Sequence, residues 1–281
     1  MIVFLNGQFV PEDQAVVSVF DRSFLYGDGL FEAVRVWRGK LFRWSQHFER
    51  LARGAEFLNL QVPFAPHQLE KFAGRLIAQN EMQDGLLRVT LSRGVGVRGY
   101  SPKGADRPFM VITCHGLPVI DPEKPPCWKL VTSSFRVPAG EMISTFKTCN
   151  KLPQIMARAE AEAVGADEGL LLNTNAEVAE AASSNLFWIA NDEVCTTPLA
   201  NGVLAGVTRG VVFEICENLG VGCREISINP EALLLAQGVF LSLSSLGIVE
   251  AVGLDGHGLI HSPLVREIQR AYAEIVERET G

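Results

Sequence analysis

The side chains best suited to covalent chemistry lie in the stretch FKTCNKL at positions 146–152, where Lys147 and Lys151 stand four apart with no acid between them. A lysine turns nucleophilic when burial depresses its pKa, so its place among the surrounding elements decides whether it is chemical. Hydrophobic spacing predicts a helix from Leu152 to Val164, with Asn150 as its N-cap and Pro153 in the first turn. Lys151 then falls at the start of that helix, where its charge opposes the dipole and water is near. Lys147 precedes the turn, at the end of an extended run closing on Phe146, and is placed to enter a cleft between strand and helix. For an isolated lysine, a solvated surface charge is the ordinary outcome.

Four other stretches carry groups that could serve a bound anion or an aromatic cofactor. GVLAGVTRG (202–210) leads small residues and Thr208 into a helix, whose free N–H groups make an anion site; the plainer alternative is a tight turn with Thr208 as N-cap. EVAEAASSNLFWI (177–189) gathers Glu180, Ser183, Ser184 and Asn185 before an apolar strand, as a capped turn or as the acidic partner of a ring nitrogen. In HFERL (47–51), His47 and Arg50 share one helix face, and Arg50 can clamp a phosphate bidentately or remain solvated. The loop RGVGVRGYSPKGADRP (93–108) sets Arg93, Arg98, Tyr100, Lys103 and Arg107 among glycines, which suits a substrate carboxylate.

These groups need elements to hold them. Met1–Val10 alternates around Asn6-Gly7 and reads as a hairpin, and LFEAVRVWRGKLFRW reads as two extended runs around Arg38-Gly39-Lys40. A helix follows with Phe48, Leu51, Ala55 and Leu58 on one face, then a second over His67–Gln79 and strands LLRVTLS and FMVITCHG. GLPVIDPEKPP is a proline-rich linker. Beyond it, WKLVTSSFRV, EGLLLN, VAEAASSNLFWIA, DEVCTTP and GVFLSLSSLGIVEAV are extended, a helix begins near Val207 and ends at Leu219-Gly220, and Pro263–Glu279 forms the last helix. The order is α+β in two domains: 1–118, a linker at 119–127, and 128–281.

A net charge of −7 argues against a nucleic-acid partner. No apolar run is long enough to span a membrane, and the N-terminus lacks the basic region of a signal peptide. The six scattered cysteines, with no C-x-x-C pair, read as reduced thiols of a cytoplasmic protein, and the isolated histidines give no metal-ligand spacing.

Taken together and in order, DRSFLYGDGLFEAVRV, HFERL, FKTCNKLPQIMARAEAEAVGADEGLLLN, VAEAASSNLFWI, GVLAGVTRG and FLSLSSLGIVEAV resemble the class IV (fold type IV) pyridoxal-phosphate enzymes. These are the branched-chain aminotransferases, D-amino-acid aminotransferases and aminodeoxychorismate lyases. The resemblance spans nearly the whole chain. It implies a small N-terminal α/β domain, a larger C-terminal domain with a β-barrel-like core, pyridoxal 5'-phosphate as cofactor, and a homodimer whose loops close the partner's site. It makes Lys147 the Schiff-base lysine that moves a proton between Cα and C4′, and Glu180 the partner of the pyridine nitrogen. Arg50 would hold the phosphate with the N–H groups of Val207 and Thr208, the Thr208 hydroxyl, and Ser245 or its neighbour Ser244. Ser184 and Asn185 join the cofactor residues. Tyr26, Phe31, Arg88, Arg98 and Tyr100 join the substrate residues, with Arg98 expected to hold the carboxylate and Arg88 as its rival. The activity implied is transamination between an amino acid, of branched-chain or D-amino-acid type, and a 2-oxo acid. The alternative is 4-amino-4-deoxychorismate lysis to 4-aminobenzoate and pyruvate, against which Ala33 stands where those lyases usually carry Thr. A non-enzymatic binding protein on this scaffold would be expected to have lost the lysine or the glutamate, and both are present.

Overall fold

The computed structural model describes residues 1–118 and 124–281, and the chain divides into two compact units. The first comprises Met1–Pro118, Phe146–Asn150 and Val276–Gly281; the second, among the described residues, comprises 124–145 and Lys151–Ile275. Two segments lying beyond residue 128 in sequence therefore pack in the first unit. Residues 119–123 of the linker read at 119–127 lie outside the described residues.

In the first unit β1 (Ile2–Leu5) and β2 (Gln8–Pro11) pair across Asn6 and Gly7, both at positive φ. This is the backbone twist that two-residue hairpins favour. Helix α1 (Arg22–Tyr26) has no apolar periodicity to announce it; Asp21 caps it, accepting from Ser23 N at 2.9 Å, and Gly27 ends it at φ 68°. Strand β3 (Gly29–Trp37) turns through Arg38-Gly39 into β4, which is only Lys40–Leu41, shorter than the run read from the sequence. Helices α2 (Trp44–Phe57) and α3 (Pro66–Gln79) precede β5 (Gly85–Ser92) and β6 (Phe109–His115). The antiparallel sheet runs β2-β1-β6-β5-β3-β4. Its inward alternation, Leu30, Val34, Leu87, Val89, Met110 and Ile112, packs with Leu51, Ala55, Leu69, Ala73 and Leu76 of the helices.

The second unit starts with β7 (Cys127–Val137), which stops nine residues short of the Phe146 expected from the sequence; a 3-10 turn at Met142–Thr145 follows it. Helix α4 (Leu152–Ala163) has Lys151, not Asn150, at its N-cap, because the Asn150 amide is turned to the Gly27 carbonyl at 3.1 Å. VAEAASSNLFWIA, read as one strand, is two: β8 (Glu168–Asn173) leads to β9 (Val178–Ala181), and β10 (Asn185–Ala190) follows a tight turn at 182–184. Then come β11 (Glu193–Thr196), α5 (Val207–Leu219), β12 (Cys223–Glu225), α6 (Pro230–Leu233), β13 (Gly238–Leu243), β14 (Gly247–Leu254), β15 (His257–Gly258) and α7 (Pro263–Thr280). The strands form one sheet, ordered β12-β11-β10-β13-β14-β7-β8-β9 with β15 on β14. It curls into a half-barrel: Val178 N on β9 donates to Ile228 O beyond β12 at 2.8 Å, and Thr197 Oγ beyond β11 donates to Ala179 O at 2.7 Å. Leu170, Leu186, Val239, Leu241, Val249 and Ala251 fill its interior.

Candidate active site

In the first unit, Lys147 is held by the backbone rather than by a helix. Its carbonyl accepts from Phe31 N and Cys149 N donates to Gly29 O, both at 2.9 Å, so the segment adds a short antiparallel rung to β3. Strand alternation then sends neighbouring side chains to opposite faces. Phe146 packs on Phe57, with ring centroids 4.8 Å apart, while the Lys147 amine lies 4.8 Å above the Phe31 ring. Arg88, from β5, stacks on the same ring with its guanidinium carbon 3.9 Å from the centroid. Three residues singled out by sequence thus meet: Phe31, Arg88 and Lys147. Two cations on one aromatic ring make a local positive field suited to a carboxylate. Burial pulls the Arg88 guanidinium below its usual value. Gly27 makes the approach of residues 146–150 possible, since a Cβ there would meet Asn150 Oδ1 at 2.3 Å.

His47 and Arg50 do share a face of α2, but they meet a residue that motif reading passed over. Glu32 on β3 accepts from Arg50 Nε at 2.8 Å and Nη2 at 2.6 Å, and His47 Nδ1 lies 2.7 Å from the same carboxylate. All three are nearly inaccessible to water. Burial by itself raises the Glu32 carboxyl, yet the charge and bonds of Arg50, with His47 added, hold it at about 2. Burial also draws His47 below its ordinary value. Arg50 is therefore not a solvated charge; one edge of its guanidinium is locked in plane by Glu32. Both shifts have one sign. A depressed folded-state pKa contributes stability above the unfolded value that is lost as pH falls through the folded one. For Glu32 that window runs from its ordinary 4.5 down to about 2, worth on the order of 3 kcal/mol. Thermal melts should lose stability steeply below pH 4.5, and Glu32→Gln should flatten that limb while lowering the melting point at neutral pH. A variant whose melting point tracked the wild type at every pH would refute the assignment.

The glycine-rich loop is organised from its base. Arg93, read as a substrate-facing cation, is buried instead: its Nε binds both Asp28 oxygens, and its other nitrogens bind the Leu58 and Asn59 carbonyls. Arg22 joins Asp28 at 2.7 Å and donates to the carbonyls of Gly99, Tyr100 and Ser101. Tyr26 accepts from Gly99 N at 3.0 Å, and its ring meets Tyr100 edge-on. Arg98 and Tyr100 themselves are exposed.

In the second unit, Glu180 lies on β9, almost fully buried. Its Oε2 accepts from Leu204 N at 2.9 Å and from the Asn185 amide at 3.3 Å, and that amide also binds Leu204 O. Beside it, the Ser184 hydroxyl is buried with no hydrogen-bond partner among the described residues. Helix α5 starts at Val207 with Gly206, not Thr208, as N-cap, so no side chain caps its first N–H groups. Gly206 lies so close to Asn185 that a Cβ would meet Asn185 Oδ1 at 2.0 Å. Thr208, the helix's second residue, is buried. A buried carboxylate to accept from a protonated ring nitrogen, with an orphaned hydroxyl and an uncapped helix N-terminus to donate to an anionic group, fits an anionic, protonated heteroaromatic ring. Ser244 and Ser245 stand half-buried in the turn from β13 to β14. Fully buried Glu168, also missed, accepts from Gly169 N at 3.0 Å and from Ser183 Oγ, tying down the 182–184 turn; burial pushes its carboxyl up.

Glu32 had left a signal. In Leu30-Phe31-Glu32-Ala33-Val34, it is the charged member of the inward set, where only a paired carboxylate is tolerated. Glu168 leaves none, since it heads a run buried on both faces.

Among the described residues, no group of side chains could hold a metal ion, and no helix is long and apolar enough to cross a membrane. The sequence profile of the class IV amino-transferases matches residues 29–253. A D-alanine aminotransferase of Staphylococcus aureus is 27% identical, over 98% of both chains. The crystal structure of a branched-chain aminotransferase from Thermoproteus uzoniensis, solved with norvaline, superposes with a TM-score of 0.92 at 29% identity, covering 99% of this chain and 96% of that one. A Legionella pneumophila structure provisionally assigned as a 4-amino-4-deoxychorismate lyase superposes with a TM-score of 0.87 at 26% identity, covering 94% of this chain and 98% of that one.

Proposed function

Because the chain belongs to the class IV aminotransferase family, whose enzymes use pyridoxal 5'-phosphate, we propose that it exchanges the amino group between a branched-chain or D-amino acid and a 2-oxo acid. When bound, the cofactor supplies an electron sink for charge developing at the substrate's Cα. Lys147 provides the amine that anchors the cofactor's aldehyde and carries the Cα proton. The observation supporting this is its amine over Phe31, on a backbone pinned at both sides. Glu180 holds the ring nitrogen protonated. Ser184, Asn185, Ser245, Val207, Thr208 and Arg50 bind the cofactor's oxygens, with Arg50 oriented by Glu32.

Arg88 receives the substrate carboxylate, because it is the cation that shares the Phe31 ring with Lys147. Tyr26, Arg98 and Tyr100 act from the loop. Losing a buried charge pair costs about 2–5 kcal/mol. Arg88→Ala should therefore raise KM for amino acids steeply and spare amines that lack a carboxylate, while Arg98→Ala should do less. The reverse ranking would transfer the role to Arg98.

The decisive experiment mixes holoenzyme with single amino acids of each hand and follows conversion of the cofactor to its pyridoxamine form. No conversion with any amino acid, together with release of 4-aminobenzoate from 4-amino-4-deoxychorismate, would establish the lyase reading that the Legionella structure favours. A cytoplasmic setting belongs to the same proposal, supported by six scattered cysteines with no C-x-x-C pair. So does a homodimer, supported by exposed Val16, Val19, Phe20, Phe24 and Val97 around the loop. Phe20→Ser with Phe24→Ser should shift sedimentation toward monomer and lower activity; an unchanged dimer would place the interface elsewhere.

A further inference from the structure

Arg22 opens helix α1 with its side chain turned under the 93–108 loop, and the residue is 3% exposed. Its Nη1 donates to the carbonyls of Gly99 at 2.9 Å and Ser101 at 3.1 Å, and its Nη2 to that of Tyr100 at 3.1 Å. One guanidinium therefore gathers three successive backbone carbonyls. Its Nε donates to Asp28 at 2.7 Å. Asp28 is held in turn by Arg93, whose other nitrogens grip the Leu58 and Asn59 carbonyls just past the end of α2. Burial alone would raise the Asp28 carboxyl, yet the bonds from Arg93 and Arg22 hold it below its ordinary value. It stays charged between the two cations. The next residue, Gly29, starts β3 and its carbonyl accepts from Cys149 N at 2.9 Å. The Asp28-Gly29 step thus ties the loop and the Lys147 segment to one point of the fold.

We propose that Arg22 is a positioning residue for substrate recognition, fixing the backbone at 99–101 so that Arg98 and Tyr100 are presented in one pose relative to Lys147. This rests on the reading above, in which those two side chains act on the substrate from the loop. The role calls for arginine. A guanidinium delivers its donors in one plane at fixed angles, whereas a lysine ammonium is a point charge on a flexible stem. Lysine at this position would keep the charge pair with Asp28 but not the bridge across three carbonyls. What then remains at Gly99 is its N–H bond to the Tyr26 hydroxyl at 3.0 Å. A loop released to many poses binds substrate more weakly, because binding must first order it. Arg22 itself is buried beneath the loop, so its effect falls on substrate affinity and not on the step at Cα.

Limited trypsin digestion of the holoenzyme reads the loop independently of activity. Arg98 and Lys103 are both exposed and both precede a glycine, but only the bond after Arg98 adjoins the carbonyls that Arg22 holds. The first cut in wild type should fall after Lys103. In Arg22→Lys, cleavage after Arg98 should quicken by about tenfold or more, the scale set by losing bonds to a charged group. The same variant should raise KM for amino acids by about tenfold with kcat within about two-fold. In an Arg98→Ala/Tyr100→Ala background, adding Arg22→Lys should leave KM where it was, since nothing remains to position. Equal first cuts after Arg98 and Lys103 in wild type would overturn the proposal even if the variant fails to fold. So would an unchanged digestion pattern in Arg22→Lys, or a full further loss of affinity in the doubly substituted background. A wild-type KM in Arg98→Ala/Tyr100→Ala would remove the loop from substrate binding and the proposal with it, while the digestion pattern would still show whether Arg22 holds the loop.

Discussion

Lys147→Ala is expected to abolish turnover, while Lys151→Ala leaves it within the same order of magnitude. Removing a positioned proton carrier alone costs about 10²–10⁴-fold, and loss of the anchoring amine adds to that. The contrast follows from placement. Lys147 is clamped to β3 at the Phe31 N–H and the Gly29 carbonyl, so its amine is confined near the Phe31 ring. Lys151 caps α4, four residues on. Borohydride reduction of the holoenzyme, followed by peptide mapping, should find the phosphopyridoxyl group on Lys147. In Lys147→Ala the cofactor should still bind, through the uncapped start of α5 and the buried groups around Glu180, but without a reducible linkage. A modified Lys151 with Lys147 intact would sink the assignment, and so would a Lys147→Ala enzyme of ordinary rate.

Glu180→Gln should slow the amino-acid half-reaction by roughly 10²–10³-fold, the size found when one oriented electrostatic partner is removed. The side chains are nearly isosteric, and a glutamine oxygen can still accept from Leu204 N, so the fold around residue 204 should hold. What is lost is the negative charge that keeps a ring nitrogen protonated. Stopped-flow spectra separate the two effects: cofactor loading should be near wild type while the step at Cα is slow. Equal half-reaction rates in mutant and wild type would remove Glu180 from the mechanism.

Both proposed roles could be put forward from the chain because each rests on local order. FKTCNKL, VAEAASSNLFWI and GVLAGVTRG bring their reactive groups within a few residues of a turn, a strand end or a helix start, and those features follow from periodicity and turn chemistry. The hairpin at Asn6-Gly7, helices α2, α3, α5 and α7, and the late strand pair are legible for the same reason. Helix α1 was missed although Asp21 and Gly27 bracket it, since five residues are too few to show a period. The break at 182–184 was hidden because the strands on either side are buried along nearly their whole length, leaving no alternation to mark their ends.

Other properties belong to contacts between residues far apart in sequence. Arg50 reads equally as a solvated charge or a phosphate clamp until Glu32, eighteen positions earlier, closes on it from a strand. Arg93 looks like Arg98 in a list of loop cations, yet Asp28 buries one and leaves the other in water. Asn150 caps a helix by its spacing, but Gly27 offers its amide a nearer carbonyl. By itself, then, the sequence determined most of the element order and the family, and singled out Lys147 as the lysine to test, because propensity, spacing and motif act over short stretches. Tertiary structure alone decided which charges are paired and which face each cation takes. A charge's energy depends on the dielectric and the partner it meets after folding, and neither is written in its neighbours along the chain.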